Sequence, residues 1–290
     1  MMKSGFVNIF GKPNAGKSTL LNALVGEKLA IVSSKVQTTR HRIKAFLSKP
    51  GEYQIIFSDT PGIIEPKYKL HEHMMQNVKS ALEDADISLL IADATDDKTD
   101  VDKLFKSLKL KNQSILILNK IDKLSKNKVE EIETFYKQQP YAKNLIKISA
   151  LKQSNLNELL SLILKLLPEG EPFYNEDELS DLPTRFFVSE LIREKIYELF
   201  EEEIPYQTAV NINEFKEKES LIKIQADIIV QRESQKAILL GEKGSAIKKL
   251  GTLARAEIEK FLQQKIFLQL FVKVKPKWRD NELQLREYGY

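Results

Sequence analysis

Eight residues near the start of the chain have the types and spacing of a phosphate-binding loop: Gly11-Lys12-Pro13-Asn14-Ala15-Gly16-Lys17-Ser18. Glycines allow backbone N–H groups to surround phosphate oxygens, and the N-terminus of the following helix adds partial positive charge. The Lys17 ammonium can reach the β- and γ-phosphates, and the Ser18 hydroxyl can bind Mg²⁺. With Thr19 included at the start of the helix, this segment predicts a nucleoside triphosphate site that uses Mg²⁺.

A second polar motif, Asp59-Thr60-Pro61-Gly62, follows an apolar run that ends at Phe57. A carboxylate at this point can hold Mg²⁺ on the side opposite Ser18. Gly62 allows its backbone N–H to approach a γ-phosphate, because no side chain stands in the way. An ordinary turn would explain this motif if it stood alone. Its place after a strand, downstream of a phosphate-binding loop, favours a metal site.

The motif Asn119-Lys120-Ile121-Asp122 has the residues needed to recognise guanine. The Asp122 carboxylate can accept hydrogen bonds from guanine N1–H and from its N2 amino group, which adenine lacks. Asn119 can brace the loop, and the stem of Lys120 can cover the face of the base. Backbone N–H groups of Ser149-Ala150-Leu151 can reach guanine O6. Together these residues narrow the predicted nucleotide to GTP or GDP.

All four motifs come just beyond the carboxyl end of a predicted strand, and amphipathic runs separate the strands. The predicted strands are Phe6–Phe10, Tyr53–Phe57, Ile87–Ile91, Ile115–Leu118 and Leu145–Ile148, and the predicted helices are Lys17–Leu24, Lys69–Ala85, Val129–Gln138 and Leu156–Leu167. A further strand, Arg42–Leu47, is predicted antiparallel to the one from Tyr53. This alternation predicts an α/β domain with a mostly parallel sheet flanked by helices. Since the carboxyl ends of parallel strands share one edge, where ligands bind, the motifs are expected to converge.

The composition is that of a folded protein with one large domain or two ordinary ones. The chain has 290 residues, of which 42% are hydrophobic and 30% charged, and its formal net charge is +4. It has no cysteine, which excludes disulfides and thiolate metal sites. No apolar run approaches the ~20 residues of a membrane span, and the N-terminus lacks a signal-peptide pattern. We therefore expect a soluble, cytoplasmic protein.

The pattern changes after residue 170, where prolines punctuate an acidic stretch that reads as a linker. Helices and strands then follow in the order α-β-β-α-α-β, which predicts a second, smaller α+β domain. These segments are Thr184–Phe200, Gln207–Phe215, Leu221–Val230, Ser234–Leu240, Ala246–Leu262 and Ile266–Val274. The predicted division is a nucleotide-binding domain over 1–170, a linker over 171–183, the smaller domain over 184–280 and a tail over 281–290.

The loop Gly241-Glu242-Lys243-Gly244 joins two of the predicted helices. In KH domains a GxxG loop clamps the backbone of about four nucleotides of single-stranded RNA. Its glycines permit close approach, and Lys243 at its tip can neutralise a phosphate. We add Lys248, Lys249 and Arg255 of the following helix as predicted RNA contacts. An ordinary helix–turn–helix connection is the alternative that the loop alone leaves open.

Other side chains of this domain have a structural as well as a functional interpretation. Lys273, Lys275, Lys277 and Arg279 alternate along the last strand and its exit, so we expect them on one face. That face either follows RNA phosphates or is a solvated edge that resists strand pairing. Trp278, the single tryptophan, is expected to be packed rather than stacked on a base. Core positions are preferred for Ile238, Leu239, Ile247 and Leu250, with the apolar wall of an RNA-binding groove as the alternative.

Residues 1–170 resemble the G domains of Ras-like and translation-factor-class GTPases, and more narrowly those of the Era family of bacterial GTPases. The resemblance rests on the segments Gln37–Arg42 and Asp59–Ile63, and in the second domain on Val230–Lys236 and Gly251–Arg255. It extends from Gly5 to about Arg279 and implies a P-loop GTPase domain followed by a type II KH domain. It also implies that Thr39, with Thr38 as the alternative, contacts Mg²⁺ and the γ-phosphate in the GTP-bound switch.

Ile63 departs from the Ras pattern, in which a glutamine at this position orients the attacking water. An isoleucine side chain cannot hydrogen-bond to water, and the Era family shares this hydrophobic residue. We therefore expect slow hydrolysis without a partner, near or below the roughly 10⁻⁴ s⁻¹ scale of unassisted Ras. Backbone groups, a potassium ion or another residue would then position the water.

The resemblance implies a GTP-hydrolysing switch that binds 16S ribosomal RNA near its 3′ end and assists assembly of the 30S subunit. It implies a cytoplasmic monomer, with peripheral contact to the inner face of the cell membrane as a further expectation. Two alternatives stay open at this point. One is an RNA-binding assembly factor whose nucleotide is merely structural, and the other is a membrane-recruited signalling GTPase whose basic end binds anionic lipid.

Overall fold

A computed structural model describes all residues, 1–290. The chain forms two compact units. The first comprises Met1–Glu65 and His73–Asp181, and the second comprises Pro66–Glu72 and Leu182–Tyr290. No helix in the structure combines the length and apolar character needed to cross a membrane.

The first unit is built on a six-stranded sheet with the order β2-β3-β1-β4-β5-β6. Its strands are β1 (Lys3–Phe10), β2 (Ile43–Lys49), β3 (Tyr53–Asp59), β4 (Ile87–Asp93), β5 (Gln113–Asn119) and β6 (Asn144–Lys147). Its helices are α1 (Lys17–Val25), α2 (Lys69–Glu83, whose first four residues belong to the second unit), α3 (Lys98–Ser107), α4 (Lys126–Lys137) and α5 (Leu156–Leu166). Every strand pair is parallel except β2 with β3, which confirms both the parallel sheet and its antiparallel edge strand.

Burial explains why the sequence forms this sheet. Every residue of β4 is buried, and apolar side chains of β1, β4 and β5 pack on those of α2, α3 and α4. Strands covered on both faces are continuous apolar runs, which is why they could be predicted from the sequence. Helix α3 was not assigned from the sequence. Its start is marked by Asp97, whose side chain accepts hydrogen bonds from the backbone N–H of Thr99 and Asp100.

Part of the segment expected to be an acidic linker packs against the sheet of the first unit. The Gln54 side chain accepts hydrogen bonds from the backbone N–H of Phe173 and Tyr174, at 2.7 and 3.0 Å. The ring of Tyr174 stacks on Phe46, with 4.0 Å between centroids, and the backbone of Leu179 accepts from that of Phe46. The segment is therefore held to β2 and β3 by specific contacts.

The second unit contains a three-stranded sheet with the order β7-β8-β9, in which β7 is antiparallel and β9 parallel to β8. Its elements are α6 (Thr184–Leu199), α7 (Ile204–Gln207), β7 (Ala209–Glu217), β8 (Ile222–Val230), α8 (Glu233–Leu240), α9 (Ser245–Leu262), β9 (Ile266–Val274) and α10 (Glu282–Glu287). Alternate residues of β8 pack with apolar residues of α6 and α9 in a single core. The predicted α+β order is confirmed, with α7 and α10 added to it.

Leu239 and Leu250 are fully buried, as expected, whereas Ile247 is only partly buried. Ile238 is half exposed, so its preferred core position is wrong. Neighbouring residues of a helix point about 100° apart, and of this pair on α8 only Leu239 is buried. The expected packing of Trp278 is confirmed. Its indole is fully buried, donates to the Gln207 carbonyl at 2.9 Å and stacks on Tyr290. The last ten residues therefore include a helix that covers this tryptophan.

Candidate guanine nucleotide site and RNA-binding loop

The phosphate-binding loop lies between β1 and α1, at the carboxyl edge of the sheet. Gly16 has a φ of 101°, and a side chain there would lie 2.3 Å from the Asn119 amide. Lys17 is buried, and its Nζ donates to the carbonyls of Gly11 and Lys12 at 3.2 and 2.8 Å. Burial lowers the pKa of Lys17 to about 8, while the nearby Asp59 carboxylate opposes this shift. The loop thus holds a buried cation that phosphate oxygens would stabilise.

Three oxygen groups meet at the predicted metal site. The Ser18 hydroxyl donates to Asp59 Oδ2 at 2.6 Å and lies 2.9 Å from the Thr39 hydroxyl, which itself donates to Asp59 Oδ2 at 3.0 Å. Asp59 Oδ1 is buried and has no hydrogen-bond partner, and burial raises the pKa of this carboxyl. A buried carboxylate oxygen beside two hydroxyls suits Mg²⁺, which prefers oxygen ligands. The structure therefore brings together Ser18, Thr39 and Asp59, and Thr39 rather than Thr38 meets the carboxylate.

The predicted base-recognition loop is tied to the phosphate-binding loop by side chains. The buried Asn119 amide donates to the Ala15 carbonyl at 2.9 Å, and its oxygen accepts from the Ala150 backbone N–H at 3.0 Å. Lys120, with a φ of 62°, donates from Nζ to the Asn14 carbonyl at 2.7 Å. Asp122 is exposed on the edge of the same cavity. The brace predicted for Asn119 is thus accounted for by two hydrogen bonds.

A cavity of about 370 Å³ joins these parts, a size typical of small-molecule sites. The predicted residues on its walls are Pro13, Asn14, Gly16, Lys17, Ser18, Thr39, Gly62, Asn119, Lys120, Asp122, Ala150 and Leu151. The segment Ile31–Ser34 also lines it and was missed, because it carries no chemical motif. A hydrogen bond of 2.6 Å from the Asn14 amide to the Ser34 carbonyl holds this segment against the loop. Thr19, on α1, also lines the cavity. The remaining predicted residues lie in the same loops or at the end of β3: Gly11, Lys12, Ala15, Asp59, Thr60, Pro61, Ile63 and Ser149.

Gly62 lies directly against the phosphate-binding loop. A Cβ at this position would stand 2.7 Å from the Pro13 nitrogen, so only glycine fits here. The next backbone N–H, of Ile63, donates to the Gly11 carbonyl at 3.2 Å. The Ile63 side chain packs against the core of the first unit. No side-chain hydrogen-bonding group therefore stands at the position that holds glutamine in Ras-like proteins.

The GxxG loop of the second unit connects α8 and α9. Gly241 has φ 69° and ψ 176°, and a Cβ there would lie 2.7 Å from the Ala246 Cβ. Lys243 has a φ of 48° and is exposed, as are Glu242, Lys248, Lys249 and Arg255. The loop therefore presents a lysine and two glycines at the exposed start of α9.

Two of the basic residues of β9 and its exit make local contacts. Lys273 pairs with Asp227 at 2.5 Å, and the Arg279 guanidinium lies 4.2 Å from the centre of the Tyr68 ring. Lys277 lies beyond the end of the strand. Local contacts thus engage Lys273 and Arg279, and the placement of all four residues on one face stays a prediction.

The comparisons with known proteins agree with both units. Residues 6–120 match the family described as 50S ribosome-binding GTPase, and residues 203–279 match the KH domain family. GTPase Era of Clostridium kluyveri is 43% identical over 293 residues, covering 100% of both chains. GTPase Era of Clostridium perfringens is 42% identical over 295 residues, covering 100% of this chain and 99% of its own. The chain belongs to the Era family of GTPases.

Solved Era structures extend the likeness to the whole fold. A variant of Aquifex aeolicus Era, bound to GDP and AlF₄⁻, has a TM-score of 0.95 and 44% identity, covering 100% of this chain and 99% of its own. An Era bound to MgGDPNP and nucleotides 1506–1542 of 16S ribosomal RNA has a TM-score of 0.96 and the same identity and coverage. The predicted family and fold class are therefore confirmed: an Era GTPase domain followed by a KH domain.

Proposed function

We propose that this Era-family GTPase is a switch that binds 16S ribosomal RNA near its 3′ end and assists assembly and maturation of the 30S subunit. The observation that carries the proposal is the meeting of Ser18, Thr39 and Asp59 in a chain that also presents an exposed GxxG loop. The first group can sense the γ-phosphate, and the second can hold single-stranded RNA. The Era relative that binds 16S nucleotides 1506–1542 supports this choice of RNA.

The residues of the cavity have different roles in the proposed switch. Lys17 and the backbone of the phosphate-binding loop hold phosphates, and the Ser18, Thr39 and Asp59 oxygens would hold Mg²⁺. When bound there, Mg²⁺ would offset the negative charge of the phosphates. Thr39 and Gly62 lie on loops that γ-phosphate contacts would order, and loss of the γ-phosphate would release them.

Slow intrinsic hydrolysis is part of the proposal. Ile63 provides no side-chain group to orient water, so positioning falls to backbone groups, to a potassium ion or to another residue. Single-turnover GTP hydrolysis, measured in matched K⁺ and Na⁺ buffers, tests whether potassium takes part in hydrolysis. A faster rate in K⁺ supports a potassium cofactor, and equal rates leave backbone groups or another residue to position the water.

Guanine selectivity is expected to depend on Asp122. Asp122→Asn should weaken GTP binding by roughly 1–3 kcal/mol and improve binding of xanthosine triphosphate, because the asparagine NH₂ replaces an acceptor with a donor. Competition binding with GTP and xanthosine triphosphate measures the change in nucleotide preference. Asp100→Asn, an exposed change on α3, is the matched control. Unchanged GTP selectivity in Asp122→Asn would show that another group reads the base.

The RNA link is tested by single-turnover GTP hydrolysis with and without a 16S 3′-end fragment. We expect the fragment to raise the rate, and a variant with Gly241 and Gly244 both replaced by alanine to lose this response while keeping its intrinsic rate. If the RNA fragment does not change the hydrolysis rate of the wild-type protein, an RNA-binding assembly factor whose nucleotide is merely structural becomes the better explanation.

A membrane-recruited GTPase is the remaining candidate, and the exposed lysines near the GxxG loop would then meet anionic lipid. Flotation with phosphatidylserine vesicles and filter binding with the 16S fragment, each across a salt series, separate the two partners. We expect binding to the RNA fragment to be stronger than binding to the vesicles at every salt concentration. The protein we propose is a cytoplasmic monomer with at most peripheral membrane contact. Light scattering tests the monomer.

A further inference from the structure

Asp93, the last residue of β4, stands beside the predicted guanine site without belonging to any of its motifs. Its side chain is only 9% exposed. Oδ2 accepts from Lys120 Nζ at 2.6 Å, while Oδ1 accepts from the backbone N–H and hydroxyl of Thr95 at 2.9 and 2.7 Å. Both carboxylate oxygens therefore accept hydrogen bonds, and Oδ2 accepts from Lys120.

The neighbouring strands fix this carboxylate with respect to the base-recognition loop. Asp93 lies opposite Asn119 in the parallel register of β4 and β5. The Ala94 backbone N–H donates to the Asn119 carbonyl at 2.9 Å, so the chain that follows Asp93 is bound to the loop that Lys120 begins. The carboxylate is thus carried by a rigid sheet rather than by a mobile loop.

Lys120 has two anchors for its ammonium group: Asp93 Oδ2 and the Asn14 carbonyl of the phosphate-binding loop. A free lysine side chain populates many rotamers, and restricting it to one when its stem covers a base costs conformational entropy. A carboxylate that already holds the ammonium removes this freedom before the nucleotide arrives. Burial alone would raise the pKa of Asp93, but hydrogen bonds from Lys120 and Thr95 lower it below its usual value, so the carboxylate is charged at neutral pH.

We infer that Asp93 is a positioning residue for guanine nucleotide binding, which acts by holding Lys120 in place across the cavity. This inference rests on the proposed guanine site. It assigns to β4 a share in nucleotide affinity that none of the sequence motifs contains. The competing explanation is that Asp93 only shapes the turn through Thr95.

The decisive variant is Asp93→Asn, which keeps the shape and can still accept from Thr95 but loses the charge that holds Lys120. We expect the dissociation rates of fluorescent GDP and GTP, measured by stopped flow, to rise about tenfold for both nucleotides. The KM for GTP should rise with them, while kcat at saturating GTP stays within about twofold, because the residue touches no reacting group. Asp93→Glu keeps the charge within reach of Lys120 and is expected to recover most of the slow dissociation.

Asp97→Asn is the matched control. Asp97 is a carboxylate four residues further on that caps α3 through Thr99 and Asp100 and does not contact Lys120. It should leave nucleotide dissociation unchanged even if it lowers the unfolding temperature. A loss of stability common to both variants is thereby separated from a loss of positioning.

A double-mutant cycle with Lys120→Met distinguishes the two explanations. If Asp93 acts through Lys120, adding Asp93→Asn to Lys120→Met has no further effect on dissociation. The inference is overturned if Asp93→Asn accelerates dissociation equally in both backgrounds, if it has no effect in the wild-type background, or if Asn and Glu behave alike. Failure of the proposed function looks different, since the wild-type protein would then not retain guanine nucleotides in Mg²⁺.

Discussion

Asp59 shows how a single residue can connect three distant segments of this chain. Its Oδ2 accepts from Ser18 on α1 and from Thr39 on the loop before β2, and its other oxygen is buried without a partner. A buried carboxylate with an unused oxygen is costly unless a cation or proton satisfies it. Asp59 therefore favours a metal ion at a point where the loop before β2 also contributes a hydroxyl.

The identity of the switch threonine can be tested at this scale. Thr39→Val keeps the side-chain volume but removes the hydroxyl that meets Asp59. We expect Mg²⁺-dependent GTP affinity and kcat to fall about tenfold, and GDP affinity to change little, because the switch contact belongs to the GTP state. Isothermal titration with GDP and a non-hydrolysable GTP analogue measures the difference.

Thr38→Val is the control for this change. Thr38 lines the cavity, but the neighbouring Thr39 supplies the hydroxyl to Asp59. If Thr38→Val impaired Mg²⁺-dependent GTP binding as much as Thr39→Val, the assignment of Thr39 would be wrong.

At the scale of elements, the sheet of the first unit could be predicted because its strands are buried. The apolar runs of β4 and β5 favour buried strands, and β5 ends in a polar motif at the edge where ligands bind. Helix α3 could not be recognised in the same way, because only Val101, Asp102 and Phe105 are buried on it. The side-chain partners of Lys273 and the half-exposed Ile238 depend on tertiary contacts, which local periodicity does not contain.

The same limit applies to the candidate site. Motifs predicted which residues converge, because each motif carries its own chemistry. They did not predict the Ile31–Ser34 wall or the contact between Asp93 and Lys120, since neither segment has a characteristic spacing. Such contacts follow from strand register and loop path, which become known only with the fold.

The turn between α8 and α9 is an element whose shape depends on glycine. Gly241→Ala places a Cβ in a backbone region reserved for glycine and 2.7 Å from the Ala246 Cβ. We expect it to destabilise the second unit by roughly 1–3 kcal/mol and to weaken RNA binding. Thermal unfolding followed by Trp278 fluorescence reports on this unit, because the single tryptophan is buried within it.

Gly251→Ala within α9 is the matched change. Its Cβ would meet only Leu270 Cδ1, at an ordinary 3.6 Å, so helix propensity should make it neutral or stabilising by roughly 0.5–1 kcal/mol. RNA affinity should then be unaffected. Equal destabilisation by both substitutions would show that the special backbone of Gly241 is not what shapes the loop.

At the scale of the whole molecule, charge matters more through its placement than through its sum. A formal net charge of +4 over 290 residues gives little attraction to RNA, and many lysines are already paired with carboxylates. Lys243, Lys248 and Lys249 lie close together at the start of α9, are exposed and form no ion pair in the structure. The affinity for RNA should therefore depend on these few lysines rather than on the overall charge.

The salt dependence of RNA binding tests whether RNA affinity depends on these three lysines. Each phosphate neutralised on a single strand contributes about −0.7 to the slope of log K against log salt. Replacing Lys243, Lys248 and Lys249 together by alanine should therefore reduce the magnitude of the slope by about 2 and weaken binding at low salt most. A triple variant of the exposed Lys111, Lys165 and Lys218, none of which lies on α9, removes the same charge and should leave the slope nearly unchanged. If the two variants lowered the slope alike, attraction to the whole molecule would explain RNA binding, and the GxxG loop would hold no phosphate of its own.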